Sequence, residues 1–154
     1  MTSIEPLAPA DRGAAVALLA AQFAEHAIAL DEARLVDALA GLVDSPGRGA
    51  VLLARVEAQP VGLAALTYTW SLERGGLVAW LDELYVVPAR RGAGLGRALL
   101  DRAVTHALAQ GCLALELEVD HGHARAERLY QRSGFVRLPR TRWVRPFGAP
   151  GGDP

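Results

Sequence analysis

Residues 81–100, LDELYVVPARRGAGLGRALL, run from an apolar segment through a proline and two arginines into three alternating glycines, then into a helical pattern. That order restricts the folds open to the chain, because a strand must hand over directly to a helix. Gly92, Gly94 and Gly96 place backbone without side chains at the start of that helix. The first-turn N–H groups there lack intrahelical partners, and the helix dipole favours negative charge. The stretch reads as an anion cradle, and the functional question becomes which anion.

Composition bounds the answer. At 154 residues, 51% hydrophobic and 21% charged, the chain is long enough to bury a core as one domain, expected over residues 1–147 with a disordered tail at 148–154. The net charge of −1 lacks the broad basic footprint of a nucleic-acid binder. No apolar run approaches the ~20 residues that span a bilayer. The opening MTSIEPLAPADRG lacks the basic-then-apolar layout of a signal peptide. A soluble, cytoplasmic protein is expected. The lone Cys112, in the apolar run GCLALELEV, excludes an internal disulfide and a cysteine-based metal cluster, and reads as a buried structural thiol. His121 and His123 have no third ligand pattern beside them, so no metal is expected.

Periodicity predicts the element order. Ser3–Leu7 is a short strand, and a helix begins near Pro9 with Val16, Leu19, Ala20 and Phe23 at helical spacing. A second helix starts after Asp31, its N-cap, and stops by Ser45-Pro46-Gly47. Strands follow at Ala50–Glu57 and Val61–Trp70 across a turn at Ala58-Gln59-Pro60, then at Leu77–Val87. Leu95–Gln110 is a helix closed by Gly111, Leu113–Val119 a strand, and Ala124–Arg132 a helix stopped by Gly134. Phe135–Arg145 is expected to add one or two strands broken at Pro139. The sum is an α/β fold of order β-α-α-β-β-β-α-β-α-β, a mixed sheet with helices on its faces and a parallel crossover across residues 77–119.

Two phosphate-binding patterns fail on this chain. A dinucleotide fold wants G-x-G-x-x-G in the first strand–helix–strand unit, and this loop is late with G-x-G-x-G spacing. A P-loop needs a lysine, and every basic residue here is arginine. What remains is Arg91-Gly92-Ala93-Gly94-Leu95-Gly96, preceded by Leu84-Tyr85-Val86-Val87-Pro88 and followed later by EVDHGHARAERLYQRSGF at residues 118–135. The first resembles the pyrophosphate loop of the GNAT acetyltransferase superfamily, and the last its N-x-x-A-x-x-L-Y-x-x-x-G-F signature. The likeness covers residues 77–137 in detail and the whole chain in element order.

That resemblance implies the GNAT acyl-CoA N-acyltransferase fold, with a splayed central sheet, and acetyl-CoA as co-substrate. Backbone amides of Arg91, Gly92, Ala93, Gly94, Leu95, Gly96 and Arg97 would take the pyrophosphate, and the strand edge Leu84, Tyr85 and Val86 would pair with the pantetheine arm beside a β-bulge. Tyr130 would be the general acid for the leaving thiolate, and His123 stands where the family often has asparagine. Asp82 and Glu83 are the base candidates, and strand alternation sends them to opposite faces unless a bulge intervenes. The segment Trp80–Val86 is similar to that of diamine and thialysine acetyltransferases, a comparison that favours Asp82, directly or through water.

The acceptor site implied lies between the first helices and the third and fourth strands, with Phe23, His26, Tyr68, Trp70 and Trp80 as its lining. Glu25 and Asp31, with the fourth-strand carboxylates, would attract a cationic amine. The expected function is acetyl transfer to a primary amine of a small molecule. Peptide N-terminal acetylation and a non-catalytic acyl-CoA-binding module are the alternatives. A homodimer is expected by analogy with the family.

Overall fold

The computed structural model describes residues 1–147, so the tail at 148–154 lies outside the described residues. Contacts divide the chain into two units, Met1–Gly122 and a second from His123 onward. The first unit carries β1 (Thr2–Pro6), α1 (Arg12–Glu25), α2 (Glu32–Val43), β2 (Gly49–Val56), β3 (Gln59–Ser71), β4 (Gly76–Val86), α3 (Leu95–Ala109) and β5 (Leu115–Glu116), with single 3-10 turns at Pro9–Asp11 and Pro88–Arg90. The second carries α4 (Ala124–Arg132).

The five strands run in the order β1-β2-β3-β4-β5, antiparallel except for the parallel β4–β5 pair that α3 connects. Alternation along the strands feeds two cores. Val51, Leu53, Leu63, Ala65 and Tyr85 pack on one face against Ala15, Val16, Leu18 and Leu19 of α1 and Leu35 and Leu39 of α2. On the other face Ala79 packs with Ala107 of α3 and with Cys112, which is 7% exposed as a structural thiol should be. Asp31 caps α2 as expected, its carboxylate accepting the Arg34 N–H at 2.9 Å.

The β3–β4 ladder is not regular. Ala65 pairs with Glu83 and Leu66 with Leu81, so Asp82 is an extra residue bulged out of β4. The bulge reverses the parity of the strand: Ala79 faces α3, whereas Tyr85, an even number of residues later, faces α1. Pairing with β5 is confined to Ala79↔Leu115 and Trp80↔Glu116, so it ends where β4 begins to bulge. From Leu81 to Val86 the β5 side of β4 has no ladder partner among the described residues, and the sheet is splayed there.

Three expectations are corrected. The strand expected over Leu113–Val119 shrinks to Leu115–Glu116, because β4 turns away at its bulge and leaves nothing to pair with. Phe135–Arg145 forms no strand among the described residues. Pro139 cannot donate to a ladder, and Val136, Trp143 and Val144 are 81%, 90% and 85% exposed, so the segment has no buried face to hold it extended. The β2–β3 turn falls on Glu57-Ala58, with Gln59 and Pro60 already paired in the ladder.

Glu57 and Ala58 both take positive φ, 51° and 67°, as a two-residue hairpin turn of matching twist demands. Neither is a residue that adopts this region freely, and each carries a Cβ strain of about 1 kcal/mol. Replacing the pair by Asn-Gly should raise the urea midpoint, with a gain of about 1 kcal/mol and an unchanged m-value.

Candidate functional site

The anion cradle forms where β4 ends. Val87 N–H donates to Val61 O at 2.9 Å, the single turn Pro88–Arg90 reverses the chain, and α3 starts at Leu95 with Gly94 as its N-cap. Gly92 and Gly94 have φ of +86° and +83°. No heavy atom lies within 4 Å of where a Cβ would sit at either, so the backbone conformation, not crowding, requires glycine, and the space over the loop is open. No acidic side chain occupies the first turn of α3. Arg97 pairs along the helix with Asp101 at 2.9 Å, which leaves the first-turn amides as the donors at the loop.

The Arg91 side chain turns back toward the strand and helix. Its Nε donates to Val86 O at 2.8 Å, its Nη2 to both carboxylate oxygens of Glu25 at 2.9 and 2.7 Å, and its guanidinium carbon sits 5.5 Å from the centre of the Tyr85 ring. The Tyr85 hydroxyl donates to the same Glu25 carboxylate at 2.9 Å. Those hydrogen bonds, from Arg91 first and Tyr85 second, hold the Glu25 carboxyl below its ordinary range. Glu25 is therefore engaged within the protein rather than presented to a cationic acceptor.

The bulge separates the two carboxylates by environment. Asp82 is exposed at the bulge, whereas Glu83 is half-buried and pairs with Ala65 on the α1 face. Burial, with the neighbouring Asp82 charge adding to it, pushes the Glu83 carboxyl up to about 7, while a hydrogen bond from Gln22 works in the opposite direction. Gln22 belongs to α1, is only 8% exposed, and its Oε1 has no hydrogen-bond partner among the described residues. The sequence reading missed it, although its signal was present. Gln22 follows Ala15, Leu18 and Leu19 at helical spacing, a single amide on an otherwise apolar face.

The acceptor candidates divide across the sheet. Tyr68 lies on the α3 face, its hydroxyl 3.0 Å from His106 Nε2, and Trp70, two residues along the same strand, is 71% exposed. Phe23 packs against the α1-side core, His26 is the exposed C-cap of α1, and Trp80 pairs with Thr67, two residues from Ala65 and so on the same side of the sheet. Of these candidates, Phe23 and Trp80 share a face with Glu83. In the second unit, His123 is the N-cap residue of α4 and makes no side-chain cap bond. Tyr130 lies on α4 with its ring edge-on to Phe135 at 5.8 Å, and burial pushes its phenol above the ordinary value.

The fold is an α/β domain in which a strand runs into a glycine loop at a helix N-terminus, beside a splayed sheet and a half-buried carboxylate. The sequence profile of the acetyltransferase (GNAT) family matches residues 14–135, and the chain belongs to that family of acyltransferases. It is 42% identical over 140 residues to a mycothiol acetyltransferase of Kineococcus radiotolerans, covering 88% of this chain and 43% of that protein. It thus spans less than half the length of that relative. Among solved structures, an integron cassette protein from the mobile metagenome of Cole Harbour Salt Marsh shares 27% identity with a TM-score of 0.86, covering 96% of this chain and 91% of that one. The aminoglycoside N-acetyltransferase AAC(6')-Iy, in complex with CoA, shares the fold at 15% identity, with a TM-score of 0.82 and 95% of each chain covered.

The electrostatics of the pair can be measured directly. Asp82→Asn removes the like charge and should lower the Glu83 carboxyl from about 7, whereas Gln22→Met removes the donor and should raise it. A carbon-13 NMR titration of the glutamate carboxyls reads both shifts.

Proposed function

We propose that this chain transfers the acetyl group of acetyl-CoA to a primary amine of a small molecule, with Glu83 as the base. The observation that carries the reading is a half-buried carboxyl held near neutrality on the strand that runs directly into the glycine cradle. A general base works best when its pKa lies near the operating pH. Asp82, the first choice by resemblance, is exposed, and its charge instead supports Glu83 by raising its proton affinity.

The amides from Gly92 to Arg97 take the coenzyme pyrophosphate, the Arg91 N–H being bonded to Pro88 O, and the β4 edge at Leu84–Val86 offers its backbone groups to the amide-bearing arm, except Val86 O, which accepts from Arg91 Nε. The acceptor nitrogen gives a proton to Glu83, directly or through water, and attacks the thioester carbonyl carbon. The C–N bond forms, the C–S bond breaks, and the departing thiolate takes up a proton, a donor role that the family resemblance gives to Tyr130. The relative named as a mycothiol acetyltransferase supports a small-molecule acceptor.

Thiol release from acetyl-CoA, followed across polyamines, amino acids, aminoglycosides, mycothiol-related amines and peptides, tests the reading. Turnover with a small amine supports it; turnover with peptides alone, or CoA binding without turnover, overturns it. Because Glu83 must be unprotonated to act, kcat/KM should fall as pH drops below about 7. Glu83→Gln should abolish that acid limb and lower kcat by ~10²–10⁴-fold. Tyr130→Phe should lower kcat as well, and unchanged turnover would remove its acid role. Gly94→Val forces a branched side chain to φ near +83° and should eliminate coenzyme binding.

A further inference from the structure

The side chains of Glu25, Tyr85 and Arg91 form a closed set that the transfer chemistry does not use. They join three elements: Glu25 is the last residue of α1, Tyr85 is the penultimate residue of β4, and Arg91 opens the glycine loop. Three guanidinium bonds (Nε to Val86 O, Nη2 to each Glu25 oxygen) all point back toward the strand and helix, away from the loop that follows. Tyr85 closes the set by donating to Glu25 while its ring lies against the guanidinium.

We propose that Glu25 is a positioning residue for the coenzyme loop, acting through Arg91 and Tyr85 to fix where the glycine cradle begins; the inference rests on the acetyl-CoA reading above. The physical need is specific. Gly92 and Gly94 give the cradle its shape but also give an unanchored loop more backbone freedom to lose on binding a ligand than any other residues would. Loop ordering at the moment of binding subtracts from affinity, and a contact that imposes the bound shape beforehand restores it. Downstream, the loop is anchored by Leu95, which is buried at 7% exposure as the first residue of α3. Upstream, the anchor is Arg91. A planar fork held by a carboxylate, a carbonyl and an aromatic face fixes both position and orientation, which a lysine ammonium would not.

The alternative is that Glu25 sequesters a guanidinium destined for the pyrophosphate. The two arrangements differ in sign, since releasing a sequestered Arg91 would tighten coenzyme binding and releasing an anchor would weaken it. The orientation favours the anchor, because Nε is committed to a backbone carbonyl of the strand in addition to the carboxylate. Arg91 and Glu25 side chains are 35% and 36% exposed, and pairs at such exposure add little to global stability. Losing the pair should therefore show in binding rather than in folding.

The test is calorimetric titration with CoA, together with steady-state kinetics, on Glu25→Gln, Glu25→Asp, Tyr85→Phe and Arg91→Lys in the full chain. Glu25→Gln should raise the CoA Kd and the acetyl-CoA KM about tenfold while kcat and the acceptor KM stay within twofold. Tyr85→Phe should give a smaller rise, Glu25→Asp should recover part of the loss, and Arg91→Lys should resemble Glu25→Gln. A Tm that falls with unchanged CoA affinity, or affinity that tightens in Glu25→Gln, overturns the proposal. Wild-type protein that fails to bind CoA at all would overturn the coenzyme reading itself, a result distinct from wild-type and variant binding CoA equally.

Discussion

The extra residue at Asp82 governs the rest of this molecule. Without it, β4 would keep a single parity, and the face that carries Ala79 against α3 would also carry Glu83 and Tyr85. With it, Glu83 and Tyr85 turn toward α1, where one meets Gln22 and the other Glu25. The same place ends the pairing with β5, so beyond Leu81 that side of β4 has no ladder partner among the described residues, and Val86 O there accepts from Arg91 Nε instead. A single insertion thus turns the Glu83 carboxylate toward α1, places buried Tyr85 on Glu25, and opens the strand edge.

Downstream of the bulge, polarity is organised by what each group is denied. Glu83 is half-buried beside the Asp82 charge, and the Gln22 amide offsets this in part, which leaves its proton affinity high. Glu25 has an arginine fork and a phenol, so its charge is retained and spoken for. Two carboxylates within reach of the same helix thereby acquire opposite characters, one able to exchange a proton near neutrality and the other fixed as an anion.

Much of this was legible in the sequence, and the parts that were not share a cause. Local signals held: the Asp31 cap, the glycines of the cradle, and α4 over Ala124–Arg132 are each determined by residues within one turn. The choice between Asp82 and Glu83 was not legible, because strand parity depends on whether a bulge falls between them, and a bulge is set by the register with β3. The family resemblance places Tyr68 in the acceptor site, whereas alternation from Ala65 sends it to the α3 face and onto His106. The C-terminal segment read as strand from its Val, Trp and Phe content, but propensity without a partner or a buried face does not form a ladder.

Burial acts with one sign on Glu83 and Tyr130, the two groups proposed for proton transfer. It raises the Glu83 carboxyl and it raises the Tyr130 phenol, since in each the charged form is the anion. The consequences diverge because the two start on opposite sides of neutrality. Raising a carboxyl from 4.5 to about 7 converts a spectator anion into a base strong enough to take a proton while still ionised in an appreciable fraction of molecules. Raising a phenol from its ordinary value only makes certain that it holds a proton to give. Desolvation alone therefore leaves the two groups with different characters at neutral pH, one partly ionised and the other protonated, which is what the proposed acceptor and donor roles need.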